Sequence, residues 1–419
     1  MTPSDGLTFD DLIAQLAAHL RNRGSLTEAR WEEALRAVPR HLFAPAAAWF
    51  TSNHAGTPRG RFALDEDPVG WWTAVYADTS IILQTDDGAG DPLSGKGLFS
   101  SSVSAPGIMF PFLELLAPQV GDRILEIGTG SGWTAGLLSW AAGANGVISV
   151  EVDPEVAARA AANLGEAGCA AQLVVGDGTK GWAERAPFDR VHVTVGVSDI
   201  PMAWIEQTRP GGVIVLPWHA GGLVGHQLRL TVLDDTTAVG RFHGTASYMM
   251  LREQRFNTRW NGHHHEAAHR STTKVHPRIF WNMDLGALLL CQALVPRVGW
   301  YDVCEDGVDS LLLYELDDHT GEGSWAACDR KPGAAEGEVT QYGDRRLWDE
   351  LSSAYREWVS LGRPGYDRFG LTVDPDGTHL WLDRPSGRKW RVRTSFEARA
   401  RLTGKANGSG NRAGHLLLG

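Results

Sequence analysis

The sequence is poor in the features that mark several protein classes. Only four of its 419 residues are cysteine, at Cys169, Cys291, Cys304 and Cys328, and no C-x-x-C pair occurs. Such scattered thiols suggest neither a zinc site nor a disulfide framework. Blocks of lysine and arginine are missing too: 39 basic residues stand against 50 acidic ones, a net charge of −11. This argues against nucleic acid or an anionic membrane as partner, and favours a peptide or a small molecule. Nowhere do about 18 uncharged apolar residues run together, as a membrane-crossing helix requires. The N-terminal Met1-Thr-Pro-Ser-Asp-Gly-Leu7 lacks a basic stretch followed by an apolar one, so we expect a soluble cytoplasmic protein. There is no internal repeat. Tryptophan, in contrast, is plentiful: nine of the 17 lie before residue 250 and eight after it, so both halves are expected to carry packed cores. With 43% hydrophobic residues, a chain of this length suits two domains.

Arg123-Ile-Leu-Glu-Ile-Gly-Thr-Gly-Ser-Gly-Trp133 reads as a strand, a glycine turn and the start of a helix. Gly128, Gly130 and Gly132 allow a sharp turn and close approach of a ligand to the main chain. The following helix offers unpaired N–H groups at its start. Glu151 ends the next apolar run roughly 20 residues on, where an acid grips a ribose. A dinucleotide turn usually reads G-x-G-x-x-G, whereas here the third glycine comes one residue early and Glu126 precedes the first by two. A carboxylate there would repel a diphosphate and suits the cationic methionine portion of S-adenosylmethionine (SAM). The spacing therefore favours SAM over NAD, with a purely structural turn as the remaining alternative. Ala171-Gln-Leu-Val-Val-Gly-Asp-Gly178 is a third apolar strand, whose Asp177-Gly178 end suits an adenine amino group.

The run from Gln172 to Asp189, followed by His192-Val, Ile200-Pro201 and Gln207-Thr-Arg-Pro-Gly-Gly-Val-Ile-Val-Leu-Pro217, resembles the protein-L-isoaspartate O-methyltransferase family. Val38-Pro-Arg-His-Leu-Phe-Ala-Pro45, Tyr76-Ala-Asp78, Val103-Ser-Ala-Pro106 and Leu113-Glu-Leu-Leu116 resemble further segments of it, so the likeness covers about residues 30 to 255. It implies SAM as methyl donor, with S-adenosylhomocysteine (SAH) as product, and a cofactor site of Glu126, Gly128, Thr129, Gly130, Gly132, Glu151, Asp177 and Gly178. Ser100-Ser-Ser-Val-Ser-Ala-Pro106 takes the place of the family's substrate-facing motif, usually Gly-Gln-Thr-Ile-Ser or Ala-Thr-Ile-Ser. Ser104 matches the final serine and Ser102 the threonine, while Ser101 replaces a glutamine and Gly107 a histidine of some members. We therefore expect Ser104 to orient the acceptor carboxylate with Ser102 beside it, and Ser101, Tyr248 and Met249 to touch substrate. Read without the resemblance, the serine run is a loop with helix-capping duties.

In order along the chain, helices are expected from Thr8 to Arg23 and from Ser25 to Val38. Residues 51 to 75 read as polar and turn-rich, and Thr85 to Phe99 as an insertion rich in glycine and aspartate. It reads as a mobile flap or as a plain surface insertion. The alternation of strand and helix after the glycine turn gives an α/β fold, a Rossmann-like doubly wound sheet with its ligand at the carboxyl ends of the strands. Tyr248-Met-Met-Leu251 resembles the family's terminal edge strand. We place the catalytic domain at 1–258, an additional C-terminal α+β domain at 259–398 and a flexible tail at 399–419. In the second domain, 309–315 and 323–328 read as strands, 346–360 as an amphipathic helix and 367–383 as a hairpin. Trp348, Tyr355 and Trp358 lie at helical spacing and are expected in its core. His263-His-His-Glu266 with His269 offers no identifiable third ligand from elsewhere, so no metal is expected.

The long C-terminal extension and the altered serine motif resemble actinobacterial members that methylate an aspartate in a cyclised, ribosomally made peptide. That resemblance implies a modified precursor peptide as partner and an aspartimide or isoaspartate as outcome. The alternatives are an isoaspartyl repair enzyme, a small-molecule O-methyltransferase and a SAM-binding protein without turnover.

Overall fold

The computed structural model describes residues 8–52, 56–220, 224–256, 265–316 and 323–392. His263, His264 and the 399–419 tail lie outside them. The chain divides into two compact units: the first runs to Leu251 apart from short stretches after residues 196 and 218, and the second takes those and everything from Arg252 onward. Each is described by itself.

The first unit opens with α1 (Phe9–Asn22), where Thr8 and Asp11 form a reciprocal capping box and Leu12, Ile13, Leu16, Ala17 and Leu20 form one buried face. α2 spans Arg30–Ala37, five residues later than expected. The reason is Glu114, whose carboxylate accepts the N–H of Thr27 at 2.6 Å and of Glu28 at 2.9 Å and so holds that stretch out of a helix. The turn-rich region folds into β1 (Ala47–Thr51), β2 (Gly60–Ala63) and α3 (Pro68–Val75). β3 (Ser80–Thr85) and β4 (Phe99–Val103) complete an antiparallel sheet in the order β2-β1-β3-β4. The serine run, expected as a loop, is thus largely a strand, with register shifts opposite Gln84. The insertion between β3 and β4 is closed by Asp86, whose N–H donates to the Leu98 carbonyl at 2.7 Å while its side chain accepts the Leu98 N–H at 2.8 Å.

The larger sheet follows: α4 (Pro106–Leu116), β5 (Ile124–Ile127), α5 (Trp133–Ala142), β6 (Val147–Glu151), α6 (Pro154–Glu166), β7 (Ala171–Val175), β8 (Phe188–Val193), α7 (Met202–Glu206), β9 (Thr208–Trp218), β10 (Gly225–Asp234) and β11 (Thr237–Ala246). Within this unit the strand order is β11-β10-β9-β8-β5-β6-β7. β7, β6, β5, β8 and β9 are parallel, and β10 and β11 are antiparallel additions. β5 and β6 are buried along their whole length, as strands covered by helices on both faces must be. The expected strand at Tyr248–Leu251 is only an isolated bridge between Gly196 and Met250, so a turn of chain rather than a strand meets the end of β8.

The second unit contains β12 (His269–Thr273), α8 (Leu285–Leu294), β13 (Val298–Glu305), β14 (Val308–Glu315), β15 (Trp325–Arg330), β16 (Gly337–Tyr342), α9 (Leu347–Ser360), β17 (Phe369–Asp374), β18 (Gly377–Leu382) and β19 (Lys389–Arg391). β12-β16-β15-β14-β13 form an antiparallel sheet. Leu311, Leu313, Ala326, Cys328 and Val339 from this sheet share a core with Cys291 of α8 and with Leu347, Trp348 and Leu351 of α9. Tyr355 packs edge-on to Phe280, and Trp358 is buried, so these aromatics are core residues. No helix among the described residues is long and apolar enough to cross a membrane.

Candidate active site

Every expected site residue lies in the first unit. The glycine turn sits between β5 and α5, with Gly128 at φ 90°, Gly130 at φ 56° and Gly132 at φ 87°. These left-handed values exclude most other residues. The turn is braced from the next strand: Glu151 Oε2 accepts the N–H of Thr129 at 3.1 Å and of Gly130 at 3.0 Å. Its Oε1 accepts the N–H of Asp153 at 3.1 Å. Thr194, at the end of β8, donates its hydroxyl to the Gly128 carbonyl at 2.6 Å.

Asp177 caps the short turn after β7, accepting the N–H of Thr179 at 3.0 Å and its hydroxyl at 2.6 Å, with Lys180 3.3 Å away. Burial pushes its carboxyl up, but the two Thr179 bonds and Lys180 outweigh that and hold it below the usual range. Gly178 is buried, and its carbonyl accepts from the Trp204 indole at 2.8 Å.

Glu126 departs from its expected role. Its side chain is wholly buried beneath the turn rather than open to a ligand. Oε2 accepts the Ser149 hydroxyl at 2.6 Å, and Ser149 is also 2.6 Å from the Thr129 hydroxyl. The acid therefore supports the turn from below, and direct contact with a cofactor would require it to move. His192, paired with it in register on β8, is equally buried.

The serines expected to meet the acceptor come to the same turn from β4. A Cβ on Gly130 would lie 2.9 Å from the Ser102 carbonyl oxygen and 3.9 Å from Ser101 Oγ. The serine strand thus rests on the glycine turn, and only a residue without a side chain allows that approach. Ser101 is buried and Ser102 and Ser104 are half-buried. Tyr248 has a half-buried ring against Phe112, centroids 5.3 Å apart, and a hydroxyl whose pKa is raised by burial and by the nearby Glu126 charge. The Met249 carbonyl accepts the Gly196 N–H at 2.8 Å.

Two residues that sequence reasoning assigned no chemistry hold the end of the serine run and the start of α4. Arg40 is fully buried and donates to the carbonyls of Val75 at 2.5 Å, Thr79 at 2.6 Å and Ser104 at 3.0 Å. Its guanidinium also lies 5.0 Å from the ring centre of Trp133, the first residue of α5. Burial pushes Arg40 down to about 9, with Asp78 opposing, so it stays charged at neutral pH. Asp78 accepts the Gly107 N–H at 2.7 Å and caps α4 from outside, because the N-cap Ala105 has no side chain able to do so. The resemblances at Val38–Pro45 and Tyr76–Asp78 were the available signals. Among the described residues no three of His, Cys, Asp and Glu group as a metal site.

A glycine turn with an acid at the end of the next strand and Asp-Gly at the end of the third, on a parallel doubly wound sheet, is the arrangement of a SAM-dependent methyltransferase. The residues fit that cofactor: Glu151 closes the strand beside the turn and Asp177-Gly178 follows the next one, the hydrogen-bond acceptors a ribose and an adenine need. Residues 58–238 match the family model of protein-L-isoaspartate(D-aspartate) O-methyltransferase. Protein-L-isoaspartate O-methyltransferase 2 of Archaeoglobus fulgidus is 33% identical over 213 residues, 50% of this chain and 80% of the relative. The Pyrococcus abyssi enzyme of the same name is 39% identical over 151 residues, 36% of this chain and 69% of its own. Among solved structures, a protein-L-isoaspartate O-methyltransferase superposes with a TM-score of 0.49 at 21% identity, covering 89% of this chain and 100% of its own. The chain belongs to the protein-L-isoaspartate(D-aspartate) O-methyltransferase family, whose members are SAM-dependent carboxyl O-methyltransferases.

Proposed function

We propose that this protein methylates the free carboxylate of an isoaspartyl residue in a peptide or protein. The names of its relatives support that acceptor, and one observation supports the site: the serine strand lies against the glycine turn at Gly130 and Ser102. Bound SAM supplies an electrophilic methyl on a sulfonium, and transfer leaves a methyl ester and SAH. A carboxylate with an ordinary pKa near ~4 is already ionised at neutral pH, so no general base is required. The work of the protein is positioning. Ser104 and Ser102 donate to the carboxylate without the strong field of an arginine, which would dull its nucleophilicity. Glu151 accepts from the ribose, Asp177 and Gly178 face the adenine, and Tyr248 and Met249 border the acceptor. The ester then closes without an enzyme: the following backbone nitrogen displaces methanol and forms a succinimide.

A second reading keeps this chemistry and changes the substrate to an aspartate in a cyclised precursor peptide. It is favoured by the insertion closed at Asp86 beside the serine strand, and by the presence of a 259–398 region outside the family match, which in this reading recognises the peptide. Mass spectrometry with SAM decides between them. Rapid gain of one methyl on a linear isoaspartyl peptide supports the first reading. Methylation followed by methanol loss only on a cyclised precursor supports the second. SAH binding with neither reaction would leave the alternative without turnover.

A further inference from the structure

One buried side chain touches both halves of the site, and neither reading above uses it. Gln84 of β3 is 4% exposed. Its Oε1 accepts the Ser100 hydroxyl of β4 at 2.9 Å, and its Nε2 donates to Asp153 Oδ2 at 2.9 Å. Chemistry fixes this orientation of the amide: an ionised carboxylate only accepts, so the NH2 must face Asp153. On one side, Ser100 Oγ accepts the N–H of Asp87 at 3.1 Å and so brings the insertion into the chain of bonds. On the other side, the Asp153 N–H donates to Glu151, whose second oxygen holds the N–H groups of Thr129 and Gly130. Asp153 Oδ1 meanwhile accepts the N–H groups of Glu155 and Val156 at the start of α6. Hydrogen bonds therefore run without a break from the insertion, through Gln84, to the glycine turn.

We propose that Gln84 is a positioning residue through which occupancy of the cofactor site sets the acceptor strand and its inserted loop. This rests on Glu151 receiving the ribose as in the reading above. A ribose on Glu151 fixes the Asp153 backbone, Asp153 fixes the Gln84 amide, and Gln84 fixes Ser100 and through it the loop. The coupling is reciprocal by necessity, so an acceptor that orders the loop also tightens the cofactor.

The test is hydrogen exchange of the full chain with and without SAH, read over residues 86–102. In the wild type, saturating SAH is expected to slow exchange there about 10-fold. Gln84→Leu is expected to bind SAH within about 2-fold of the wild type yet lose the SAH-dependent slowing. Ser100→Ala cuts the same link at a half-buried position and loses it as well, which covers the case in which Gln84→Leu folds poorly. Gln84→Glu alone sets two carboxylates face to face and abolishes the slowing. Adding Asp153→Asn restores it: an amide at 153 donates to the carboxylate at 84, still caps α6, and leaves the net charge unchanged. A merely structural role would alter exchange equally with and without SAH. An SAH-dependent slowing preserved in Gln84→Leu, or a double variant that fails to regain it, overturns the proposal. Wild-type binding of SAH without loop protection overturns it alone, whereas no binding of SAH removes the cofactor reading too.

Discussion

The two halves of the proposed site are built in opposite ways. The cofactor half is almost contiguous: Gly128, Thr129 and Gly130 follow β5 directly, and their brace, Glu151, closes the adjacent strand. The proposed acceptor half is assembled at a distance. Ser104 is held by Arg40, α4 is capped by Asp78, and Ser100 is held by Gln84. A local motif tolerates drift in its surroundings, whereas a site assembled from remote elements fails when any one of its supports does.

The largest expected effect breaks the remote half. Arg40→Leu strands the buried carbonyls of Val75, Thr79 and Ser104. Loss of a donor to three buried acceptors is expected to cost about 3–5 kcal/mol of stability by urea unfolding. Arg40→Lys is expected to recover part of that, since a lysine keeps the charge but not the fork. Next comes the contact between the halves. Gly130→Val forces a branched side chain into the Ser102 carbonyl at φ 56°. It is expected to cut initial methyl-transfer rates about 100-fold with an unchanged far-UV circular dichroism spectrum. Ser104→Ala sharpens the comparison from the acceptor side alone. Loss of one hydrogen bond to a charged group predicts about a 10-fold lower kcat, with SAH affinity by calorimetry left as it was. An unchanged kcat would remove Ser104 from the acceptor site.

The smallest effect is a slope with pH. Burial pushes His41, whose Nδ1 lies 2.8 Å from the Tyr76 hydroxyl, down to about 4. The unfolded chain therefore takes up this proton before the folded one, and stability falls as pH drops from about 6.5 towards 4. His41→Phe should flatten that part of the profile, measured as urea midpoints at several pH values.

The same contrast explains what was legible in the sequence. The glycine turn and the places of Glu151 and Asp177 at strand ends could be read because spacing along the chain is spacing along this sheet. The alternation of strand and helix gave the parallel sheet, since buried strands are short apolar runs between helical periods. Spacing said nothing of what a side chain two elements away would do. The start of α2 was misplaced because Glu114 captures Thr27 and Glu28, and the serine run read as a loop because its partner β3 lies beyond the insertion. Glu126 was read as a ligand from its place before the turn, yet a strand buried on both faces points it inward to Ser149. Arg40 was visible only as part of a resemblance, its carbonyl partners being 35 to 64 residues away.

That last separation also bears on how the chain is made. Synthesis delivers Arg40 first and Ser104 last among its partners, so no shorter nascent chain can give the guanidinium its full set of carbonyls. The guanidinium therefore ties the N-terminal segment to a residue 64 positions further on, and a chain that stops short of Ser104 leaves it without the last of its carbonyl partners.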